Sequence, residues 1–306
     1  MKKLFSLILM MCISLLFLKI VYADNHDNNA ITIVKQKGKK KYIPELKGRR
    51  LVDGEVTFSD GMIQKGKRAY IPEAKKMGLV DGEVIMPNGM IAKGTFDYIP
   101  ELNKIFLVDG EATLSNGQKQ KGKQAYIPEL NTMQLIDGEI TWPDGYIEKG
   151  KRVYIPEAKE IGLVDGEMTL PDGSFIKGIF EYITELKGMA LVDGEATLSN
   201  GQIEKGLFEY IPELNRIFLV DGEITFSDGK IDKGTWSYIP ELKKVGLVDG
   251  ETKFPDGQKE KGKRAYIPEL NKMFLVDGEI KFADGTMIYG TWSYSKEKNE
   301  MIFTSK

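Results

Sequence analysis

The 306 residues carry 43 Lys and Arg against 45 Asp and Glu, a formal net charge of -2. So even a balance builds no sustained positive surface, and nucleic acid is not expected as a partner. One cysteine and one histidine exclude a disulfide-braced scaffold and leave little for thiol or imidazole chemistry.

In chain order, residues 1–23 come first. Lys2 and Lys3 precede an almost continuously apolar run from Leu4 to Val21, and Val21-Tyr22-Ala23 ends in a small residue. This reads as a signal peptide cleaved after Ala23, which makes the protein secreted or periplasmic. The run is also long enough to be retained as a membrane anchor. Cys12 lies inside it, so cleavage leaves no cysteine, and 40 cations against 45 carboxylates. Such a chain holds together in an oxidising compartment by packing alone.

From residue 51 the sequence repeats. LVDG or LIDG begins at 51, 79, 107, 135, 163, 191, 219, 247 and 275, each step being 28 residues. A degenerate half-unit fills 24–50, where Gln36–Leu46 matches Gln64–Ala74. Nine units span 51–294, the last of them truncated, and 295–306 is a C-terminal tail. Atypical ends suit a solenoid, whose terminal faces have no neighbour to cover them.

Within a unit, Leu51–Phe58 alternates as a half-buried strand. Ser59-Asp60-Gly61 and its counterparts (PNG, SNG, PDG, SDG, ADG) are hairpin turns. A second strand runs from about Met62 to Ile71, and Pro72 ends it. Pro-Glu-Leu or Pro-Glu-Ala with four variable residues then forms a single helical turn or an irregular link. Glycines at 54 and 66 recur in mid-strand, where they are expected to make room for an aromatic neighbour such as Tyr70. The fold expected is all-β: an elongated open antiparallel sheet of stacked β-hairpin repeats. Its 18 strands at roughly 4.8 Å each give a sheet on the order of 85 Å long.

The D-G-x-x-x-x-G-x-F pattern, as in Asp172-Gly173 with Gly178 and Phe180, resembles the MORN repeat family. That resemblance covers the chain from the half-unit onward and implies a single-layer solenoid of hairpins. The present unit is longer than the family's. It also lacks the family's tyrosine two residues before the glycine, where Gln64, Ala92, Gln120, Glu148, Ile176, Glu204, Asp232, Glu260 and Ile288 stand instead.

No hydrolase, metalloprotease or nucleotide-binding signature is present. The pair Asp53 and Glu55 recurs nine times, whereas an active site is singular, so no catalytic residue, cofactor or metal is assigned. A carboxylate ladder of this kind is able to hold calcium, but Glu55 is expected to face a cross-strand lysine such as Lys65. Two residues after the second glycine stand Arg68, Phe96, Gln124, Arg152, Phe180, Phe208, Trp236, Arg264 and Trp292. Eight of these nine are aromatic or Arg, which makes the row a candidate ligand or partner face. The competing reading packs the row into the core, with Arg laying its stem over apolar neighbours. The function expected is a secreted, non-enzymatic scaffold for an envelope protein. The alternative is a binding module for cell-wall glycan or lipid headgroups, the lipid part implied by the family resemblance.

Overall fold

The computed structural model describes residues 31–306, so the expected signal peptide lies outside the described residues. The strands are β1 (Ile33–Ile43), β2 (Gly48–Phe58), β3 (Ile63–Ile71), β4 (Lys76–Ile85), β5 (Ile91–Ile99), β6 (Lys104–Thr113) and β7 (Lys119–Ile127). They continue as β8 (Thr132–Thr141), β9 (Ile147–Ile155), β10 (Glu160–Thr169), β11 (Phe175–Ile183), β12 (Gly188–Thr197) and β13 (Ile203–Ile211). The last are β14 (Arg216–Thr225), β15 (Ile231–Ile239), β16 (Lys244–Lys253), β17 (Lys259–Ile267), β18 (Lys272–Lys281), β19 (Met287–Ser295) and β20 (Glu300–Ser305). All belong to one open antiparallel sheet of successive hairpins. The nine units supply β2 to β19. The half-unit adds β1, and the segment expected as a tail adds β20, which pairs with β19. The chain divides into two compact bodies, one ending at Gly166 and the other beginning at Glu167.

Two kinds of pairing alternate. Strands joined by the Asp-Gly turn pair over only five residues, as Asp53–Thr57 does with Ile63–Lys67. Strands joined by the proline connector pair along their whole length, as β3 does with β4. The turn-side halves therefore run on as continuous sheet, while each connector-side half is a separate two-stranded ribbon.

The LVDG signature marks the root of the ribbon. Leu79 stands opposite Arg68 and Asp81 opposite Lys67, so Val80 is an extra, bulged residue. A strand alternates its side chains with period two, and one inserted residue resets that parity. The bulge is what allows Leu79 and Val84 to face the same core, at 1% and 0% exposure. All nine leucines of this column are buried, each worth about 1.5–3 kcal/mol of apolar burial.

The glycines after the bulge do not accommodate tyrosine. Gly66 pairs with Gly82 and Gly122 with Gly138, backbone directly on backbone. Their φ values of +133° to +150° belong to a region that residues with a Cβ rarely occupy. At this crease the ribbons leave the continuous sheet and stack on one another. A Cβ on Gly78 would run into Ile71 and into Ile105 of the following ribbon, and one on Gly246 would touch Met273 of its follower. The sheet thus covers its own apolar face. In the first body Met62, Leu79, Val84, Phe96, Ile105, Phe106 and Leu107 pack as one cluster.

The connector is shorter than expected. In six of ten connectors the proline opens a single 3-10 turn, as in Pro100–Leu102, and the next residue turns the chain back immediately. That residue is left-handed in all ten, with φ of 45° to 56°. It is Asn at 103, 131, 215, 271 and 299, and Lys at 47, 75, 159, 187 and 243. Three of the four residues expected as loop are strand for this reason. Where Asn is present its side-chain oxygen accepts a hydrogen bond from the repeat tyrosine, as Asn131 Oδ1 does from Tyr126 at 2.9 Å. In every Asp-Gly turn the side-chain oxygen of Asp or Asn accepts the N–H two residues on, as Asp60 does from Met62 at 2.9 Å.

Two predictions follow from the crease and the connector. In Gly138→Ala the new Cβ would lie 2.8 Å from Gly122 Cα and closer still to the Lys121 carbonyl oxygen. A loss of about 2–4 kcal/mol is expected, read as a lower urea midpoint. Gly145→Ala, at a turn with nothing within 4 Å, is expected to cost only about 1–2 kcal/mol. At the connector, Asn131→Ala removes both the left-handed residue and the Tyr126 acceptor, for a loss of about 1–2 kcal/mol. Lys243→Asn is expected to shift thermal melting upward instead.

Candidate functional site

The eight residues proposed from sequence as a partner face are turned inward. Phe96, Phe180, Phe208 and Trp236 are only 2–6% exposed, and Arg152 is 4% exposed. Arg68, Arg264 and Trp292 are half-buried, the last with its ring 5.0 Å from that of Phe303. The row is brought together as core, at the roots of the ribbons where they leave the continuous sheet.

The row works as half of a pair that sequence reasoning overlooked. Four residues earlier, across the crease glycine, stands a second inward residue, and the two match. Arg68 Nη1 donates to Gln64 Oε1 at 2.7 Å. Arg152 Nη2 lies 3.2 Å from Glu148 Oε2, while its Nη1 donates to the Gly138 and Gly150 carbonyls at 3.0 and 3.3 Å. Arg264 lies 3.7 Å from Glu260 and donates to Thr252 Oγ1 at 2.9 Å. Phe96 stands with Ala92, and Phe180 with Ile176, in all-apolar versions of the same site. Glycine, having no side chain, leaves open the space over which an arginine reaches back along its own strand. The matching residue types at positions four apart are visible in the sequence, but only once the glycine between them is known to bend the strand.

The buried acids are engaged. Tyr146 donates its hydroxyl to Glu148 at 2.6 Å, and burial followed by that carboxylate pushes the phenol well above its usual range. Asp232 accepts from Lys230 Nζ and from Thr252 Oγ1, both at 2.7 Å. Burial lowers the Arg264 guanidinium, and Glu260 opposes the shift. Glu204 differs, because its neighbour at the paired position is Phe208 and its hydrogen bond comes from a neutral group, Gln202 Nε2, at 2.7 Å. Desolvation raises its pKa above the ordinary carboxylate range, and the Gln202 bond offsets only part of that.

The outward face beside the crease carries two polar rows. In the first body, Lys37, Glu55, Lys65, Glu83, Lys93, Glu111, Lys121, Glu139 and Lys149 stand opposite one another in register, the sign alternating at each strand. The expected Glu55–Lys65 pair is present at 3.9 Å, and Lys121 lies 2.9 Å from Glu111. The lysine holds the Glu111 carboxyl below its usual range, and the carboxylate holds Lys121 above its own. Carboxylates in this row alternate with lysines. Among the described residues no group of three or more His, Cys, Asp or Glu is placed to hold a metal ion.

The second outward row alternates Asp with a residue that changes. In the first body it runs Lys67, Thr95, Lys123, Lys151, and in the second Ile179, Leu207, Thr235, Lys263. Ile179 and Leu207 stand opposite Asp193 from its two sides, and they are 42% and 49% exposed. Glu181 and Glu209, one position further along the same face, are exposed as well. Two aliphatic side chains thus interrupt a polar row, with Asp193, Glu181 and Glu209 about them and the lysines Lys177 and Lys205 on the remaining side.

No protein-family model matches the chain, and no curated protein matches it. Among solved structures, the G-box domain of the microcephaly protein CPAP aligns over 82% of this chain and 98% of that one. The identity is 14% and the TM-score 0.23. The TCP domain of SAS-4 from Drosophila melanogaster, in complex with a proline-rich motif of Ana2, aligns over 64% of this chain and 89% of its own. It shares 14% identity at a TM-score of 0.20. The TcdB2-TccC3-Cdc42 complex aligns over 82% of this chain and 16% of that one, at 10% identity and a TM-score of 0.17. None of these likenesses is close enough to bear on function.

The Glu204 site predicts a pH dependence of definite sign. The unfolded carboxyl releases its proton in the ordinary range, while the folded one retains it to higher pH. Stability from this group is therefore present below the unfolded pKa and declines as pH rises toward the raised folded value. Glu204→Gln is expected to melt higher than wild type above that window and to flatten the slope within it. Thermal melts of both proteins across the mildly acidic range check this.

Proposed function

We propose that this chain is a secreted, non-enzymatic repeat scaffold, related to the MORN repeats, that holds a protein partner at the cell envelope through its outward face. One observation carries the reading. The glycines, turn residues and root leucines scarcely change from unit to unit, whereas two of the outward columns vary in chemistry. The glycines and the turn acid or amide recur in all nine units, and the buried Leu begins each of them. The column of Lys67, by contrast, takes Lys, Thr, Ile and Leu, and that of Ala69 takes Ala, Asp, Val, Glu and Ser. A framework that stays fixed while one face differs along its length suits the display of distinct contacts to a large partner. The exposed pair Ile179 and Leu207 is the natural centre of such a contact, being apolar with a polar rim.

The glycan alternative relied on aromatic stacking, and it finds little free surface in rings that are 2–6% exposed. The test is crosslinking of the tagged protein in intact cells, followed by mass spectrometry, for wild type and for Ile179→Lys with Leu207→Lys. Lysine already stands at this position in Lys67, Lys123, Lys151 and Lys263, so the double variant returns to a residue the repeat accepts. A recurring partner recovered at least about tenfold less with the variant supports the reading. The same proteins recovered equally with both chains would exclude this face.

A further inference from the structure

The expectation that no sustained positive surface exists fails at one place. β1 carries Lys35, Lys37, Lys39, Lys40 and Lys41 and no carboxylate, and all five lysines are exposed. It is the first strand of the sheet, and among the described residues β2 is its one neighbour. The strand is 11 residues long and contains no proline. Its start is tied to β2, the Thr32 N–H donating to Ser59 Oγ at 3.0 Å and the Ser59 N–H to Thr32 O at 2.8 Å. A free edge of this length presents backbone donors and acceptors that are already in place for another strand.

The repeat specifies the strand that such an edge takes. Lys37-Gly38-Lys39 of β1 holds the place of Lys65-Gly66-Lys67 of β3. In β3 that place has a neighbour on each side: Lys65 stands between Glu55 and Glu83, and Lys67 between Asp53 and Asp81. The two lysines of β1 meet Glu55 and Asp53 on one side only. Among the described residues no ion pair reaches either of them. Gly38 already holds the crease conformation, with φ of +143°. The pairing of β2 with β3 gives the register for the open edge: a carboxylate opposite Lys39, glycine opposite Gly38 and a carboxylate opposite Lys37. Lys35, Lys40 and Lys41 face no carboxylate across β2, and they add attraction for an acidic chain.

Lysine on an edge strand guards against aggregation, but the guard is selective. A second copy of β1 laid antiparallel about Gly38 sets Lys37 against Lys39, and like charges directly opposite are destabilising. The last strand does not supply the complement either, because Ser305 of β20 stands opposite Gly290 and Lys306 follows it. The chain's own Asp-Gly-Glu segments are engaged on both edges, as that of β2 is by β1 and β3 and that of β18 by β17 and β19. An acidic strand from another protein meets none of these obstacles.

We infer that the open edge of β1 takes up an extended acidic segment of a partner protein as one more strand of the sheet. This site is separate from the outward patch at Ile179 and Leu207 and stands whether or not that patch binds. The probe is a labelled peptide of residues 51–58, LVDGEVTF, titrated with the full chain and followed by fluorescence anisotropy at physiological salt. A control peptide carries Asp53→Lys and Glu55→Lys. Lys37→Gln with Lys39→Gln removes the two cations of the pairing site, and exposed positions of this kind leave folding intact. Lys40→Gln with Lys41→Gln removes the same charge from the half of β1 that leaves the continuous sheet. Expected is saturable binding of the acidic peptide, at least about tenfold weaker for the control peptide and for the Lys37 and Lys39 variant. The Lys40 and Lys41 variant is expected to stay within about threefold of wild type, since salt screens charges outside the contact. Equal loss in the two double variants would overturn the inference, because net charge alone would then explain the attraction. So would no binding, equal binding of the two peptides, or binding unchanged by the Lys37 and Lys39 substitutions. A dimer of the chain alone that those substitutions dissolve would overturn it as well, by making a second copy the occupant.

Discussion

At Gly66 and Gly82 two strands meet backbone on backbone, closely enough that a single methyl group on either would collide with the other. Most of the architecture depends on that contact. A flat antiparallel sheet has two faces, and the described residues supply no second sheet or helix layer to cover the apolar one. The paired glycines let each connector-side ribbon leave the plane at a fixed point. The bulged Val80 and its counterparts set the parity so that leucine enters the core on one side of the crease and Val84 on the other. Burial then comes from ribbons stacked on ribbons, and Gly78 is small because Ile105 of the next ribbon occupies the space above it.

The hairpins were legible in the sequence because their signals are local. Asp-Gly and Asn-Gly fix the turns, proline ends the strand, and the 28-residue register carries each assignment to the next unit. What stayed hidden depends on partners far along the chain. A glycine in mid-strand signals a close approach but does not say of what. Only the pairing of Gly66 with Gly82 shows that the answer is another glycine and not Tyr70. The aromatic and arginine row had the composition of a binding surface and the burial of a core, because alternation along a strand does not reveal which side will be covered. The left-handed Lys75 was hidden for a different reason: lysine is not a residue that announces a reversed turn, and it is recognised through Asn103 and Asn131 at the same place.

Each column then evolves under its own constraint. Inward pairs across the crease exchange together, Arg152 with Glu148 or Phe180 with Ile176, since a charge left unpartnered there is costly. Two pairs depart from this: Asp232 beside Trp236 is met by Lys230 and Thr252, while Glu204 beside Phe208 holds its proton more tightly. The outward columns that vary, those of Lys67 and Ala69, carry no such coupling. Changing Lys151 to the Ile179 of the following unit alters what the surface offers while leaving the strand intact.

Total charge is a poor guide in such a molecule because position along the repeat decides what a charge can meet. The sum of -2 conceals rows in which Glu111 and Lys121 neutralise one another. It also conceals a half-unit in which an apolar slot and an uncharged slot of the repeat have become Arg49 and Arg50. In the rows a charge is satisfied by its neighbour across the sheet, so it contributes solubility and register and little attraction at a distance. For Lys35, Lys40 and Lys41 of β1 the neighbour is another cation or an uncharged residue, and the field reaches outward over about a Debye length. A lysine is therefore structural at one position and available at another, even within β1. What separates the two is whether the residue across the ladder is Glu55, as for Lys37, or Arg50, as for Lys41.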